Sequence, residues 1–297
     1  MLQFKPITLQ DIQEIRPYLD KQSYRTCDFT VGGIYMWIDF FHYEYCIDHG
    51  LLFIKGKAED EPDKASFAVP IGDASVRQGI ELLREYCSNR QIPLLLSAVP
   101  QEAAEQLAIT YSTRSQHLPD WSDYLYLRQD LATLAGRKYQ KKRNHVNKFH
   151  ASYPHTSYRP LNADNLEDVK AFFLRFKAAN QKENPYFAFE EAMVDRVLEH
   201  FSELNLLGGV LYVEDDIAAF AIGEVVNDTL FVHVEKALTE YNGAYEAINQ
   251  QFARQATGNP EVIYVNREED VGDEGIRRAK LSYQPARLLY KFNISIE

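Results

Sequence analysis

The chain has 297 residues and a formal charge of −11, with 32 Lys and Arg against 43 Asp and Glu. Its hydrophobic content of 45% and its 19 Tyr and 17 Phe exclude a disordered chain, and the length suggests two domains of ordinary size. The first residues, Met1 to Ile15, hold no apolar run of signal-peptide length. No window approaches the roughly 18 apolar residues of a membrane span, so a cytoplasmic protein is expected.

From the N-terminus, Phe4-Lys5-Pro6-Ile7-Thr8 reads as a short strand feeding a helix that starts near Asp11, with Thr8 as a candidate N-cap and Ile12 and Ile15 on the buried stripe. The aromatic patch Tyr35, Trp37, Phe40, Phe41, Tyr43 and Tyr45 reads as core. Tyr45 to Ile47 and Leu51 to Ile54 form a hairpin around Asp48-His49-Gly50. Val76 to Cys87 is an amphipathic helix with Ile80, Leu83 and Cys87 on one stripe, the strand Pro93 to Ser97 follows, and Tyr124 to Leu127 is an aromatic-rich strand.

The parts then recur. Tyr158-Arg159-Pro160-Leu161-Asn162 repeats the first strand 154 residues later, with Leu166 and Val169 in the places of Ile12 and Ile15. Val210 to Val213 and Ala218 to Ile222 flank Glu214-Asp215-Asp216 as a second hairpin. Tyr245 to Ala256 is the matching helix, Val262 to Val265 the strand after it, and Leu288 to Phe292 the closing aromatic strand. Strands alternating with helices around hairpins imply a mixed α/β sheet domain used twice, with a domain at 1–135, a basic linker helix at 136–155 and a second domain at 156–297.

Between the copies, Leu131 to Ala163 contains no Asp or Glu, while Arg137, Lys138, Lys141, Lys142, Arg143, Lys148 and Arg159 contribute +7, leaving −18 for the rest of a chain whose total is −11. A basic strip in an acidic protein concentrates anions such as phosphate, a nucleic-acid backbone or a lipid headgroup. Lys138, Lys141, Lys142 and His145 share one helical face; a solvated linker helix would show the same spacing.

Cys27, Cys46 and Cys87 lack a CxxC pairing and read as buried thiols. His42, His49, His117 and His200 show no HxH or HExxH spacing, so no metal site is expected. His233 and Glu235, two apart in a strand, are expected on one face. Asn266-Arg267-Glu268-Glu269-Asp270 follows an apolar strand, which makes Arg267 a candidate clamp for a carboxylate or phosphate and Glu268 or Asp270 a partner for a substrate ammonium; three consecutive acids also suit a solvated turn.

The segments Cys27 to Trp37, Lys141 to Phe149, His233 to Ala237, Gly243 to Asn249, Val265 to Pro285 and Leu288 to Phe292 resemble a bacterial family related to the C-terminal catalytic domain of phosphatidylglycerol lysyltransferases. The element order resembles the GNAT acyltransferase fold in tandem. The resemblance implies an acyl or aminoacyl transferase, with an amine or hydroxyl acceptor attacking a coenzyme A thioester or an aminoacyl-tRNA ester. It implies Glu235 or His233 as general base and Tyr283 as proton donor to the leaving group. A donor's phosphates would meet Lys141, Lys142, Arg143 and Asn144, and the loop to Gly243 and Ala244, where a GNAT helix N-terminus binds a pyrophosphate. That loop has one glycine where two are usual. A non-catalytic module holding RNA or anionic lipid headgroups would keep the same fold.

Overall fold

The structure, a computed structural model, describes residues 1–58, 61–180, 185–255 and 261–297. In chain order the elements of the first part are β1 (Lys5–Pro6), α1 (Ile12–Leu19), α2 (Val31–Phe41), β2 (Glu44–Asp48), β3 (Leu51–Ala58), β4 (Glu61–Phe67), β5 (Ile71–Gly72), α3 (Val76–Arg90), β6 (Leu94–Pro100), α4 (Gln101–Thr110), β7 (Thr113–His117) and β8 (Asp123–Leu127). There follow α5 (Arg128–Thr133), α6 (Gln140–Ser152), β9 (Thr156–Pro160), α7 (Leu166–Ala179), α8 (Pro185–Glu199), β10 (Leu207–Val213), β11 (Asp216–Val226), β12 (Thr229–Ala237), α9 (Ala244–Gln255), β13 (Tyr264–Asn266), α10 (Glu274–Leu281), β14 (Arg287–Leu289) and β15 (Lys291–Ile296).

Two mixed sheets carry these elements, one ordered β1-β2-β3-β4-β6-β15-β7 with β5 on β3, the other β14-β8-β13-β12-β11-β10-β9. The sequence repeat is visible in them: β1 and β9 are the Phe4 and Tyr158 segments, and each sheet runs through an antiparallel hairpin to one parallel pair, β4 with β6 or β12 with β13. Thr8 closes a capping box with Asp11, whose carboxylate accepts from the Thr8 amide at 2.9 Å.

The repeat suggested a division at 135 and 156. Packing divides the chain into one unit of 1–123, 269–272 and 288–297, and another of 124–268 and 273–287. The two aromatic strands that close the halves of the sequence are the reason. β8 leaves the first half to pair with β13, and β15 leaves the second half to lie between β6 and β7. The expected strand Leu288 to Phe292 is two strands, one in each sheet, on either side of Tyr290.

In the second unit α9 covers one face of the sheet, with Phe252 beside Gly223, and α7 the other, with Phe172 and Phe173 edge-on to Phe220. The basic segment is α6 of this unit, with Val146 and Phe149 buried. Of the first unit's aromatic patch, Tyr35, Phe41 and Tyr45 are buried, and Phe40 reaches the surface. Among the described residues no helix is long and apolar enough to cross a membrane.

Candidate functional site

β12 and β13 run parallel only from Thr229 to Phe231, opposite Tyr264 to Asn266. Beyond that β13 ends while β12 continues to Ala237, so the two strands part at the carboxyl end of the sheet, the place where open α/β sheets take ligands. The chain leaves β13 through Arg267 and through Glu268, whose φ of 56° turns it sharply.

His233 and Glu235 do not share a face. Ile222 pairs with Val234 and Gly223 with Val232, so His233 is an extra residue in the ladder, and a bulge shifts the alternation. Glu235 stands opposite Ala221 on the α9 face; His233 turns to Glu224 on the α7 face. Reading the strand with an unbroken period of two placed both on one side.

On the α9 face the Glu235 carboxylate accepts from Arg267 Nη2 at 2.7 Å and from Asn249 Nδ2 at 3.0 Å. The Arg267 guanidinium lies 4.8 Å from the Tyr283 ring centre, and Lys142 Nζ lies 4.1 Å from the same ring. Burial pushes the Tyr283 hydroxyl well above the ordinary tyrosine range, so it keeps its proton. Two polar atoms in this cluster are buried without a hydrogen-bond partner among the described residues: Arg267 Nη1 and Asn249 Oδ1. An unsatisfied donor and an unsatisfied acceptor beside one carboxylate are costly unless a ligand meets them.

On the opposite face His233 is fully buried between Glu224, 2.9 Å from Nε2, and Glu268, 2.7 Å from Nδ1. Burial disfavours the imidazolium, and the two carboxylates outweigh it, raising the pKa to about 10. A cation at neutral pH cannot take a proton, so His233 is a strut. It holds the Glu268 turn from which Arg267 projects.

The basic segment divides in the same way. Lys142 pairs with Glu246 on the first turn of α9 at 3.2 Å, and Arg143 donates to the carbonyls of Leu134 and Gly136. Lys138 pairs with Asp130. Arg137, Lys141, Asn144 and Lys148 are exposed and have no partner among the described residues. Gly243 has φ of 92°, and a Cβ there would meet the His145 carbonyl oxygen at 2.8 Å. The single glycine therefore serves the packing of α6 over the start of α9, where Ala244 is buried.

Of the other expected residues, Asp270 is buried in the first unit and accepts from the Gly272 amide at 3.0 Å, closing a turn. Asp273 caps α10 by accepting from Ile276 at 2.8 Å.

One charged cluster escaped the sequence reading. In the first unit the buried ammonium of Lys291 lies 2.8 Å from Asp123, 2.8 Å from Asp28, 3.7 Å from Glu269 and 3.4 Å from Cys27 Sγ. Cys27, Asp123 and Glu269 place ligand atoms within 4.8 Å of one another, a grouping able to hold a metal, and the lysine already supplies a cation there. Burial and the carboxylates of Asp123 and Glu269 push the Cys27 thiol far up, so it is no nucleophile. A lysine in the middle of an aromatic strand was the available signal.

A family model described as phosphatidylglycerol lysyltransferase, C-terminal, matches residues 22–294. A conserved protein of unknown function from Bacteroides thetaiotaomicron is 33% identical, with both chains fully covered and a TM-score of 0.89. The L-PGS structure from Bacillus licheniformis shares 11% identity over 96% of this chain and 91% of its own, with a TM-score of 0.67. FemX shares 8% over 99% and 97%, with a TM-score of 0.61; at these identities the likeness is one of fold. A curated relative, an uncharacterised protein of Mycoplasmoides gallisepticum, is 25% identical over 177 residues, so the match spans 59% of this chain and 56% of that one.

Proposed function

The chain belongs to the family of phosphatidylglycerol lysyltransferase C-terminal domains, and from that premise we propose that it moves an aminoacyl group from an aminoacyl-tRNA ester to an amine or hydroxyl acceptor where the strands part beside Glu235. Membership and the tandem GNAT-like fold support acyl or aminoacyl transfer as the reaction class. The observation that carries the reading is the pair of unmet atoms around one carboxylate, Arg267 Nη1 and Asn249 Oδ1.

Such a transfer needs an acceptor for the incoming N–H or O–H proton and a positive group where the carbonyl oxygen gains charge. Glu235 takes the proton while Asn249 Oδ1 orients the nucleophile. Arg267 Nη1 meets the carbonyl oxygen. The new bond joins the acceptor heteroatom to the carbonyl carbon, the bond to the ribose oxygen breaks, and Tyr283 returns a proton to that oxygen.

The start of α9 argues for the RNA ester over coenzyme A. There α6 packs on Gly243, and Glu246 places a carboxylate in the first turn, where a pyrophosphate would otherwise sit. Arg137, Lys141 and Lys148 remain for an RNA backbone. An anionic lipid headgroup would suit the same cations as an acceptor.

Thermal shift with aminoacyl-tRNA, coenzyme A and acetyl-CoA tests the donor. A ligand at 100 times its Kd stabilises by about 2.7 kcal/mol. Aminoacyl-tRNA is expected to raise Tm and coenzyme A to leave it unchanged; the reverse would overturn the donor. Binding without consumption of the ester in the presence of amines, alcohols and phosphatidylglycerol vesicles would make this a binding module.

A further inference from the structure

Tyr139, Lys142, Val146 and Phe149 recur at the spacing of one helical face, and Tyr139, Val146 and Phe149 are buried. Lys142 is the charged member of the four. Its side chain is 14% exposed, whereas Lys141, Asn144 and Lys148 on another face of α6 meet solvent. A lysine directed inward loses hydration, and two groups take up its ammonium: the Glu246 carboxylate at 3.2 Å and the Tyr283 ring, whose centre lies 4.1 Å away.

Tyr283 is 4% exposed, and its hydroxyl has no hydrogen-bond partner among the described residues. Its amide donates to the Lys280 carbonyl at 3.1 Å, which fixes the main chain past the end of α10 and leaves the side-chain torsions to other contacts. The direction of the ring therefore rests on what it touches. Tyr126 stands edge-on at 6.5 Å, the Arg267 guanidinium lies 4.8 Å from the ring centre, and Lys142 is the nearer cation. Arg267 is tied to Glu235 and Lys142 to Glu246, so two ion pairs converge on one ring.

We propose that Lys142 is a positioning residue of the transfer, its ammonium anchored on Glu246 and holding the Tyr283 ring so that the hydroxyl meets the leaving oxygen. The inference rests on the reading of Tyr283 as proton donor. As the carbon–oxygen bond breaks, its electron pair goes to the ribose oxygen, which takes the phenol proton. The negative charge left on the ring forms beside both cations, which favours the step. Glu235 then releases the acceptor's proton to water and the phenolate takes one up, so both groups are restored. Lys142 acts through Tyr283, and Lys141, its neighbour in sequence, is left to meet the donor.

Steady-state kinetics of the intact chain, with lysyl-tRNA and phosphatidylglycerol vesicles as probes, test this. Lys142→Met is expected to lower kcat per folded molecule about tenfold at unchanged KM for the tRNA, and Lys142→Arg to restore most of it. In a Tyr283→Phe background Lys142→Met should cost nothing further, because the proton donor that it aims is gone. Lys141→Met should raise the KM for the tRNA instead.

The ring is read independently of turnover by nuclear Overhauser contacts between Tyr283 and Tyr126, expected in the parent and in Lys142→Arg and weakened in Lys142→Met. Glu246→Gln, which keeps the ammonium and frees it from its anchor, should weaken them too, and it carries both measurements if Lys142→Met fails to fold. Additive losses in the double variant, or contacts as strong in Lys142→Met and Glu246→Gln as in the parent, would overturn the proposal. A parent without turnover would count against the transfer reading alone, and the Overhauser contacts would still decide what holds the ring.

Discussion

Glu235 and Arg267 stand where two parallel strands part, and the 2.7 Å contact between Oε1 and Nη2 joins them across the gap. Both side chains are largely buried, at 10% and 13% exposure. The pair bridges the opening, and the unmet Nη1 of the same guanidinium remains for a ligand.

Glu235→Gln keeps the shape and the acceptor but removes the base. Under the proposed chemistry turnover falls on the order of 10²-fold or more at near-constant donor affinity. The buried guanidinium also loses its counter-charge, so a stability loss of up to about 3 to 5 kcal/mol is expected in urea melts. Loss of stability with turnover per folded molecule unchanged would leave Glu235 a purely structural partner.

His233 carries a pH signature. Its pKa is raised to about 10 in the folded protein against 6.5 for a free imidazole, so the native state holds a proton that the unfolded state has lost between those values. The stabilisation is complete below about pH 6.5 and is lost as pH rises through 10, at roughly 1.4 kcal/mol per unit. His233→Gln should flatten the slope of stability between pH 7 and 10 measured by denaturant titration. The same slope in both proteins would remove the imidazolium from the account.

The cations of the basic segment separate into two classes by test. Charge reversal at Arg137, Lys141 and Lys148 should weaken tRNA binding and reduce the salt slope by about one per lost phosphate contact, with little change in Tm. Lys142→Glu faces Glu246 at contact distance and should lower Tm instead. Unchanged tRNA affinity in the triple reversal would make the exposed strip a solvated face.

Gly243→Ala is expected to destabilise by roughly 1 to 3 kcal/mol, since its φ of 92° disfavours a side chain and the His145 carbonyl stands 2.8 Å from the new Cβ. Coenzyme A affinity gives the contrast. A specific loss of coenzyme A binding at full stability would restore Gly243 to a pyrophosphate loop.

Lys291→Met removes the cation from among Asp28, Asp123 and Glu269. Leaving buried carboxylates uncompensated should cost about 3 to 5 kcal/mol, and the loss should shrink on acidification as they protonate. A Tm equal to that of the parent would mean that the cluster is hydrated rather than sealed.

Local pattern was enough for the hairpins, the helix at Val76, the basic helix and the mixed α/β class, because each rests on periodicity and turn residues within a short window. The repeat of Phe4-Lys5-Pro6 in Tyr158-Arg159-Pro160 showed two copies of one sheet design for the same reason. Strand membership lay beyond it. Nothing local in Tyr124-Leu125-Tyr126 or Phe292-Asn293-Ile294 says that β8 pairs with β13 and β15 with β6.

The candidate site was legible as a list and illegible as an arrangement. Glu235 and Arg267 were marked by position at strand ends, and they meet. His233 was assigned to the same face because alternation was carried through a bulge that the cross-strand register alone reveals. Lys142 and Arg143 counted as free charge, yet Glu246 lies 104 residues from the first, and carbonyl groups take up the second.

By itself, then, the sequence determined the elements, their duplication, the segregation of charge and the residue types able to move an acyl group, all properties of neighbours along the chain. Tertiary structure decided which sheet receives each closing strand and which face receives each side chain. It also decided which of the charges find a partner: Lys291 meets Asp28 from 263 positions away, while Lys141 faces water. Such long-range pairings follow from the packing of a whole core, where one register shift or exchanged strand re-aims every group that follows it.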